Sequence, residues 1–316
     1  MSKRVTPKNF VRAETARYFA AQAARAPVNA WHHEREPVTR ENQVALRSNV
    51  DLLHSFALVD VTEPATVSVP PSDTYQVAQV IDEQHYTVAV LSPGESATIR
   101  DADLSSGTHV FVLARTALAD GPTRAHELQD RLGIAASAAE PYRPANWDDE
   151  SRRAVGARLE RRAADLDLGL AFGTPASTVR DHHLLGTRLG WGGLPPQHAQ
   201  YFQGTAVSSG CDIWTFEVPP VDVDRHGFYS VAKYDENGWL DVVHPAIASP
   251  EFTRNGDGTI SVYFGDANCV GGGNRIETAE GQTFFYAMRL YRPLDVGSAR
   301  DYVDGLRRRG ITRVLT

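Results

Sequence analysis

Short hydrophobic runs separated by turn residues occupy two stretches of the chain, and this pattern predicts β-strands. In the first stretch the runs are Phe56–Val61, Ala65–Val69, Tyr75–Ile81, Tyr86–Leu91, Ala97–Arg100 and Thr108–Arg115. In the second they are Ile213–Val218, Phe228–Tyr234, Trp239–Val243, Thr259–Phe264 and Thr283–Tyr291. The connections within the first stretch are too short for crossover helices, so we expect antiparallel strands in a sandwich or barrel.

Helical periodicity marks the regions outside these stretches. Apolar residues recur at helical spacing from residue 10 to 26, and Pro27 ends that run. A short helix is expected over residues 121–132. A longer one follows an N-cap at Asn146, and its apolar face is formed by Val155, Leu159, Ala163, Leu166 and Leu170. Ser298 to Arg309 has the pattern of a C-terminal helix.

We therefore expect a mixed, mainly β protein with four regions. Residues 1–50 are an N-terminal helical segment, and 51–135 are a first β-domain. Residues 136–205 are a helical connector, and 206–316 are a second β-domain that ends in a helix.

Composition restricts the function classes. The 316 residues are 42% hydrophobic and 22% charged, which is typical of globular proteins. The net charge of −7 argues against a nucleic-acid partner. No apolar run approaches the roughly 20 residues that span a bilayer, so no membrane partner is expected. The first residues lack the apolar core of a signal peptide, which predicts a cytoplasmic location.

Cys211 and Cys269 are the two cysteines of the chain. Neither lies in a spacing typical of zinc ligands, and two cysteines are too few for a disulfide framework. They are predicted to be buried free thiols.

Several motifs resemble a paired family of domains of unknown function, numbered 1254 in the N-terminal half and 1214 in the C-terminal half. The matching segments are 29–35, 49–55, 59–60, 63–64, 75–86, 190–195, 227–231, 255–260 and 289–293. The resemblance implies two jelly-roll-like β-sandwich domains with helical additions. It implies no particular activity.

Polar residues before the first predicted strand are candidates for acid–base chemistry. Asp51 and His54 are three residues apart and would meet on a helical turn. A carboxylate that orients an imidazole is the arrangement of a general base. We therefore predict Asp51, His54 and His85 as catalytic residues, with a polar structural turn as the alternative.

A ligand site between the two β-domains is predicted from residue type and placement. Its binding residues would be Asn49, Trp191, Tyr229, Arg275 and Arg289. Aromatic rings suit sugars and small apolar ligands, and guanidinium groups suit carboxylates or phosphates. The alternative is that the rings are core residues and the arginines form structural ion pairs.

Two histidine pairs, His32–His33 and His182–His183, are possible metal ligands by residue type. Neighbouring residues point in different directions and no HxxxH or HxH spacing is present. No metal is predicted, and the cofactor is unknown.

Two functions remain open at this point. The first is binding of a small molecule or saccharide, extended to hydrolase or lyase chemistry through histidine and aspartate. The second is a non-catalytic β-sandwich that binds glycans or other partners, including a second copy of itself as a homo-oligomer.

Overall fold

The computed structural model of the protein describes residues 2–43, 46–269, 273–308 and 310–313. It is mainly β, as the hydrophobic pattern predicts. The chain divides into two compact units. The first unit contains residues 1–35 and 53–196, and the second contains residues 36–52 and 197–316.

The α-helices are α1 (Phe10–Ala23), α2 (Gly121–Asp130), α3 (Asp149–Glu160), α4 (Arg180–Leu189) and α5 (Val296–Arg308). The strands up to residue 135 are β1 (His32–His33), β2 (Leu52–Asp60), β3 (Ala65–Ser68), β4 (Gln76–Ile81), β5 (Thr87–Leu91), β6 (Ser96–Ile99), β7 (His109–Ala117) and β8 (Gly133–Ala135). The later strands are β9 (Ala199–Val207), β10 (Cys211–Phe216), β11 (Phe228–Asp235), β12 (Ala246–Ala248), β13 (Ile260–Gly265), β14 (Arg275–Ile276), β15 (Thr283–Tyr291) and β16 (Thr312–Arg313).

The first unit packs two sheets around an aliphatic core. The larger sheet has the order β1-β2-β7-β4-β5, and the smaller has the order β6-β3-β8. Alternate residues of β2, such as Ala57 and Val59, join Val67 and Val112 in the core cluster. Phe19 of α1 packs against Leu58 and Phe111, so α1 covers the other face of the larger sheet.

A buried carboxylate joins three helices of this unit. Glu14 of α1 is 1% exposed and forms ion pairs with Arg17 at 2.9 Å, Arg152 at 2.5 Å and Arg188 at 3.5 Å. Arg152 lies on α3 and Arg188 on α4. Burying a charge is favourable only when it is paired and hydrogen-bonded, and Glu14 meets both conditions.

The second unit also packs two sheets face to face, with the orders β14-β13-β10-β16 and β12-β11-β15-β9. Trp214, Phe264, Tyr286 and Met288 are central residues of the core between them. The alternation predicted for the last strand is present: one face of β15 lies in the core, while Phe285, Arg289 and Tyr291 lie on the other face.

The segment 36–52 covers that other face of the β15 sheet. Val38 and Val50 pack against a small cluster that contains Ala232, Tyr234 and Ala287. This arrangement buries both faces of the sheet around β11 and β15, and it brings the polar residues Arg47, Ser48, Asn49 and Asp51 onto the outer face.

Two features of the second unit differ from prediction. Trp239–Val243 is not a strand; Asp235 instead accepts hydrogen bonds from the backbone of Asn237 and Trp239 and closes a turn. The strand β9 lies where a helical connector is expected. The sequence does not show a clear strand pattern here, because polar residues lie on the exposed face and a glycine interrupts the hydrophobic run. Gly204 is needed at that position because the ring of Tyr286 packs against it.

The long connector helix is also shorter than predicted. Its N-cap is Asp148, whose carboxylate accepts from the Ser151 amide, rather than Asn146, whose carbonyl accepts from Lys3. The helix ends at Glu160, and the apolar residues that continue its periodicity lie in later turns.

The prediction of free thiols is wrong, because Cys211 and Cys269 form a disulfide with a Cα–Cα distance of 5.0 Å. The two residues are 58 apart in sequence, and the pairing follows from β10 and β13 being neighbours in one sheet. A Cβ at Gly265 would lie 2.9 Å from the Cys269 sulfur, so the position requires glycine. Disulfides persist mainly in oxidising compartments, and the cytoplasmic location stays a prediction.

The substitution Glu14→Gln leaves three guanidinium groups without their buried carboxylate. We expect it to lower the free energy of unfolding of the first unit by about 3–5 kcal/mol, measured by urea denaturation. Glu150→Gln, on the exposed side of α3, is the matched control and should change stability little. Equal effects of the two substitutions would contradict the role of Glu14.

The double substitution Cys211→Ala and Cys269→Ala removes a cross-link that closes a loop of 58 residues. We expect a loss of roughly 2–4 kcal/mol in the unfolding free energy of the second unit. Chemical denaturation with and without a reducing agent measures it. A reducing agent should destabilise the native protein and leave the double variant unchanged; sensitivity of both would refute the assignment.

Candidate functional site

His85 lies in a tight turn between β4 and β5. The carboxylate of Asp82 accepts hydrogen bonds from the backbone amides of Gln84 and Tyr86, each at 2.9 Å, and from Ser105. The same turn holds His85 in a left-handed conformation with φ of 63°. Asp82 therefore fixes the position of the His85 ring.

Both ring nitrogens of His85 are hydrogen-bonded within the protein. The Gly192 amide donates to Nε2 at 2.9 Å, so Nδ1 carries the proton and donates to the Thr187 hydroxyl at 2.9 Å. Burial lowers the pKa of His85 well below its ordinary value, and nearby His183 lowers it further. The ring is thus neutral, buried and fully engaged.

A column of stacked rings surrounds His85. Trp191 stacks on Tyr18 at 4.1 Å and on His85 at 5.2 Å. His183 continues the stack at 5.4 Å and itself stacks on Tyr86 at 4.4 Å. Trp191, predicted as a ligand residue, is therefore part of the packing of the first unit.

The glycines beside Trp191 permit this packing. Gly192 has φ of 79°, and a Cβ there would lie 2.9 Å from Leu113. A Cβ on Gly193 would lie 2.3 Å from the Phe172 ring. The motif Gly190–Pro195 thus has a structural explanation.

His54 does not lie on a helical turn with Asp51, because β2 begins at Leu52 and the segment is extended. The ring of His54 stacks on Phe56 at 6.0 Å. The next residue, Ser55, is fully buried and bonds to His33 Nδ1 at 2.8 Å across the β1–β2 pair. Sequence reasoning missed this pair, since nothing in the sequence shows that residues 33 and 55 are opposite each other.

The other predicted residues that the structure brings together lie in the second unit, on the outer face of the β15 sheet. Arg289 is 7% exposed, and its Nη2 donates to the carbonyl of Arg47 and to the hydroxyl of Tyr234, each at 2.8 Å. Tyr234 in turn donates to the carbonyl of Ser48 at 2.7 Å. The buried guanidinium thus binds the segment 46–51 to the sheet.

Asn49 and Asp51 complete this arrangement. The Asn49 side chain donates to the Tyr291 hydroxyl and accepts from the Asp51 amide at 2.7 Å. The Ser230 hydroxyl is near enough to the Asp51 carboxyl to lower its pKa, although the two groups do not reach hydrogen-bond geometry. Ser230 lies directly opposite Arg289 across β11 and β15.

We call Arg47, Asp51, Ser230, Tyr234 and Arg289 the Arg289 cluster. Four of its buried polar atoms have no hydrogen-bond partner among the described residues: Arg47 Nε, Asp51 Oδ2, Ser230 Oγ and Arg289 Nη1. Such atoms are uncommon in native proteins and call for an explanation, such as water, an ion or a functional role.

The electrostatics of the cluster reflect its burial. Burial raises the pKa of Asp51, and Ser230 and Arg289 offset only part of that rise. Burial lowers the pKa of Arg47, and the charge of Arg289 lowers it further. Burial also lowers the pKa of Arg289, but the interactions with Tyr234, Tyr291 and Asp51 outweigh this effect, and the net result is a raised pKa.

Tyr229 and Arg275, also predicted as ligand residues, lie elsewhere in the second unit. Tyr229 is buried in the core, where it stacks on Phe252 at 5.4 Å, and burial raises its pKa despite Arg254 nearby. Arg275 is exposed on β14, in the other sheet. Asn49, Asp51 and Arg289 are thus the predicted residues that share one site.

No group of three or more histidine, cysteine, aspartate or glutamate side chains in the described part of the chain could hold a metal ion. Within the same residues, no helix is long and apolar enough to cross a membrane.

Comparisons with known proteins agree with the resemblance in the N-terminal half. Residues 28–102 match the family described as Protein of unknown function (DUF1254). The C-terminal resemblance stays a prediction. None of the curated proteins compared with this chain matches it.

Two crystal structures share the fold. The VPA0106 protein from Vibrio parahaemolyticus is similar at a TM-score of 0.70 and 18% identity, over 97% of both chains. An uncharacterized protein from Burkholderia cenocepacia is similar at a TM-score of 0.53 and 14% identity, over 90% of this chain and 84% of the other. At these identities the likeness concerns the fold alone.

The pKa of His33 makes the first unit sensitive to acid. Burial, with a contribution from Arg35, lowers it from 6.5 to about 4. As the pH falls, His33 is protonated in the unfolded chain before it is protonated in the folded protein. The contribution of neutral His33 to the free energy of unfolding is therefore complete above pH 6.5 and is lost as the pH drops toward 4. In urea denaturation, His33→Gln should reduce this fall, whereas the control His32→Gln should preserve it. Identical pH profiles for His33→Gln and the native protein would exclude this source of acid sensitivity.

Proposed function

We propose that the protein binds a small, oxygen-rich molecule, such as a hydroxylated metabolite or a saccharide, at the Arg289 cluster. The observation that carries the proposal is the set of four buried polar atoms that have no hydrogen-bond partner among the residues the structure describes. Each such atom costs about 1–3 kcal/mol, and a charged group costs more. A ligand that pairs with them recovers this free energy on binding.

The four atoms offer complementary chemistry. Arg47 Nε and Arg289 Nη1 are donors, Asp51 Oδ2 accepts when the carboxyl is ionised, and Ser230 Oγ does both. Hydroxyl groups, which donate and accept, fit such a set. Segment 46–51 is held against rigid strands, so the polar groups are positioned before a ligand arrives.

A catalytic extension of this function is hydrolase or lyase chemistry with Asp51 as the proton donor or acceptor. Burial raises the pKa of Asp51, which brings the carboxyl closer to the range useful for general acid catalysis. The catalytic roles of His54 and His85 stay a prediction. A role of His85 as a base is disfavoured, because both of its ring nitrogens are already hydrogen-bonded within the protein.

The alternative function is non-catalytic recognition of a glycan or of a second copy of the chain. It draws support from exposed apolar side chains in the loop after β11, where Trp239 is 41% and Val243 is 80% exposed. Exposed aromatic residues are common at recognition surfaces.

Ser230→Ala tests the binding function. The substitution removes a hydroxyl that makes no hydrogen bond to any described residue, so we expect the melting temperature to stay the same or rise. Affinity for a bound sugar or sugar acid should fall about tenfold, the value of one hydrogen bond. Calorimetric titration with glucose, galactose, glycerol, glucuronate, galacturonate and glycerate measures it.

The matched control is Ser261→Ala on β13, where the hydroxyl bonds to Thr215 and Asn255. We expect this variant to lose stability and keep its affinity. A Ser230→Ala variant that loses stability, or that binds as the native protein does, would refute the proposed site.

A further inference from the structure

We infer that the ligand of the Arg289 cluster is an acid, a monoanionic carboxylate that also carries a hydroxyl group. The inference rests on the proposed function and specifies its ligand class. It is based on the buried guanidinium of Arg289 and the half-buried guanidinium of Arg47, which have no carboxylate in direct contact among the described residues and each keep an unused donor there.

The direct contacts of these two cations are with neutral groups, while Asp51 acts on Arg289 through its charge without a hydrogen bond. Nη2 of Arg289 donates to the carbonyl of Arg47 and to Tyr234, while Nη1 makes no bond to a described residue. The guanidinium of Arg47 lies 4.3 Å from the centre of the Phe285 ring, and its Nε likewise makes no bond within the described ranges. Among the described residues, neither arginine has a carboxylate oxygen within 4.0 Å of its nitrogens.

The first unit provides a contrast. Arg17, Arg152 and Arg188 each pair with Glu14, and Arg152 and Arg188 also pair with Asp149 and Glu160 respectively. These arginines are therefore neutralised by the protein itself. A buried cation without such a partner is unfavourable, and an anionic ligand would supply the missing charge.

The acids around the cluster limit the charge of the ligand. Asp51 acts electrostatically on Arg289, and Glu251 acts on Asp51. A dianionic phosphate would be repelled by these carboxylates, whereas a carboxylate brings one charge. Arg289 Nη1 and Arg47 Nε would bind its oxygens, and Asp51 with Ser230 would bind a hydroxyl.

Matched pairs of neutral and acidic compounds test the inference: glucose against glucuronate, and glycerol against glycerate, with inorganic phosphate as a third probe. We expect at least one acid to bind with a dissociation constant tenfold or more below that of its neutral counterpart, measured by calorimetry. The difference should shrink at high salt.

Arg47→Gln is the informative variant, because Arg289 also holds the segment 46–51 and its loss would disturb the fold. Arg47→Gln should abolish most of the preference for the acid, because it removes a cation, and it should lower the affinity for the neutral compound by about tenfold, the value of one hydrogen bond. The control Arg275→Gln, exposed on β14, should change neither.

The outcomes separate the two proposals. If the native protein binds the acid and the neutral compound equally well, and Ser230→Ala binds neither, the inference of an acidic ligand is overturned and the proposed function is kept. Tighter binding of phosphate than of either acid would also overturn it. Absence of binding by every probe would overturn both.

Discussion

A guanidinium buried on the face of a β-sheet must find acceptors, and this requirement organises the second unit. Arg289 takes its acceptors from Tyr234 on the neighbouring strand and from the backbone of Arg47. Tyr234 then binds the backbone of Ser48. These hydrogen bonds hold the segment 36–52, which precedes the rest of the unit by more than a hundred residues in sequence. The segment covers the outer face of the sheet around β11 and β15, so that both faces of the sheet are buried.

The same interaction leaves the site incomplete. The backbone carbonyl and the phenol bind Nη2 of Arg289, while Nη1, one carboxylate oxygen of Asp51 and the hydroxyl of Ser230 have no hydrogen-bond partner in the described part of the chain. The first unit differs, since a buried carboxylate, Glu14, pairs there with three partly exposed arginines. The contrast between arginines that pair directly with a carboxylate and a buried one that does not supports the ligand class proposed for the second unit.

Local patterns in the sequence predicted much of the fold. The strand Thr283–Tyr291 and its alternation are as expected, because period-two hydrophobicity reports burial directly. Pairings distant in sequence were not predictable: Cys211 with Cys269, and His33 with Ser55, depend on which strands become neighbours.

The candidate site was predictable in part for the same reason. Asn49, Asp51 and Arg289 were selected by residue type, and the fold brings them together. Ser230 and Tyr234 were missed, because an ordinary serine and tyrosine acquire their role only from the register of β11 against β15. Tyr229 was also selected by residue type, but its side chain faces the core, because neighbouring residues on β11 point to opposite faces of the sheet.

A high-resolution crystal structure of the purified protein, soaked with glucuronate or glycerate, tests the central claim most directly. The account predicts well-defined non-protein density that contacts Nη1 of Arg289 and Oδ2 of Asp51, with a planar carboxylate on the guanidinium side. A direct hydrogen bond between Arg289 and Asp51, with no density beside them, would contradict it.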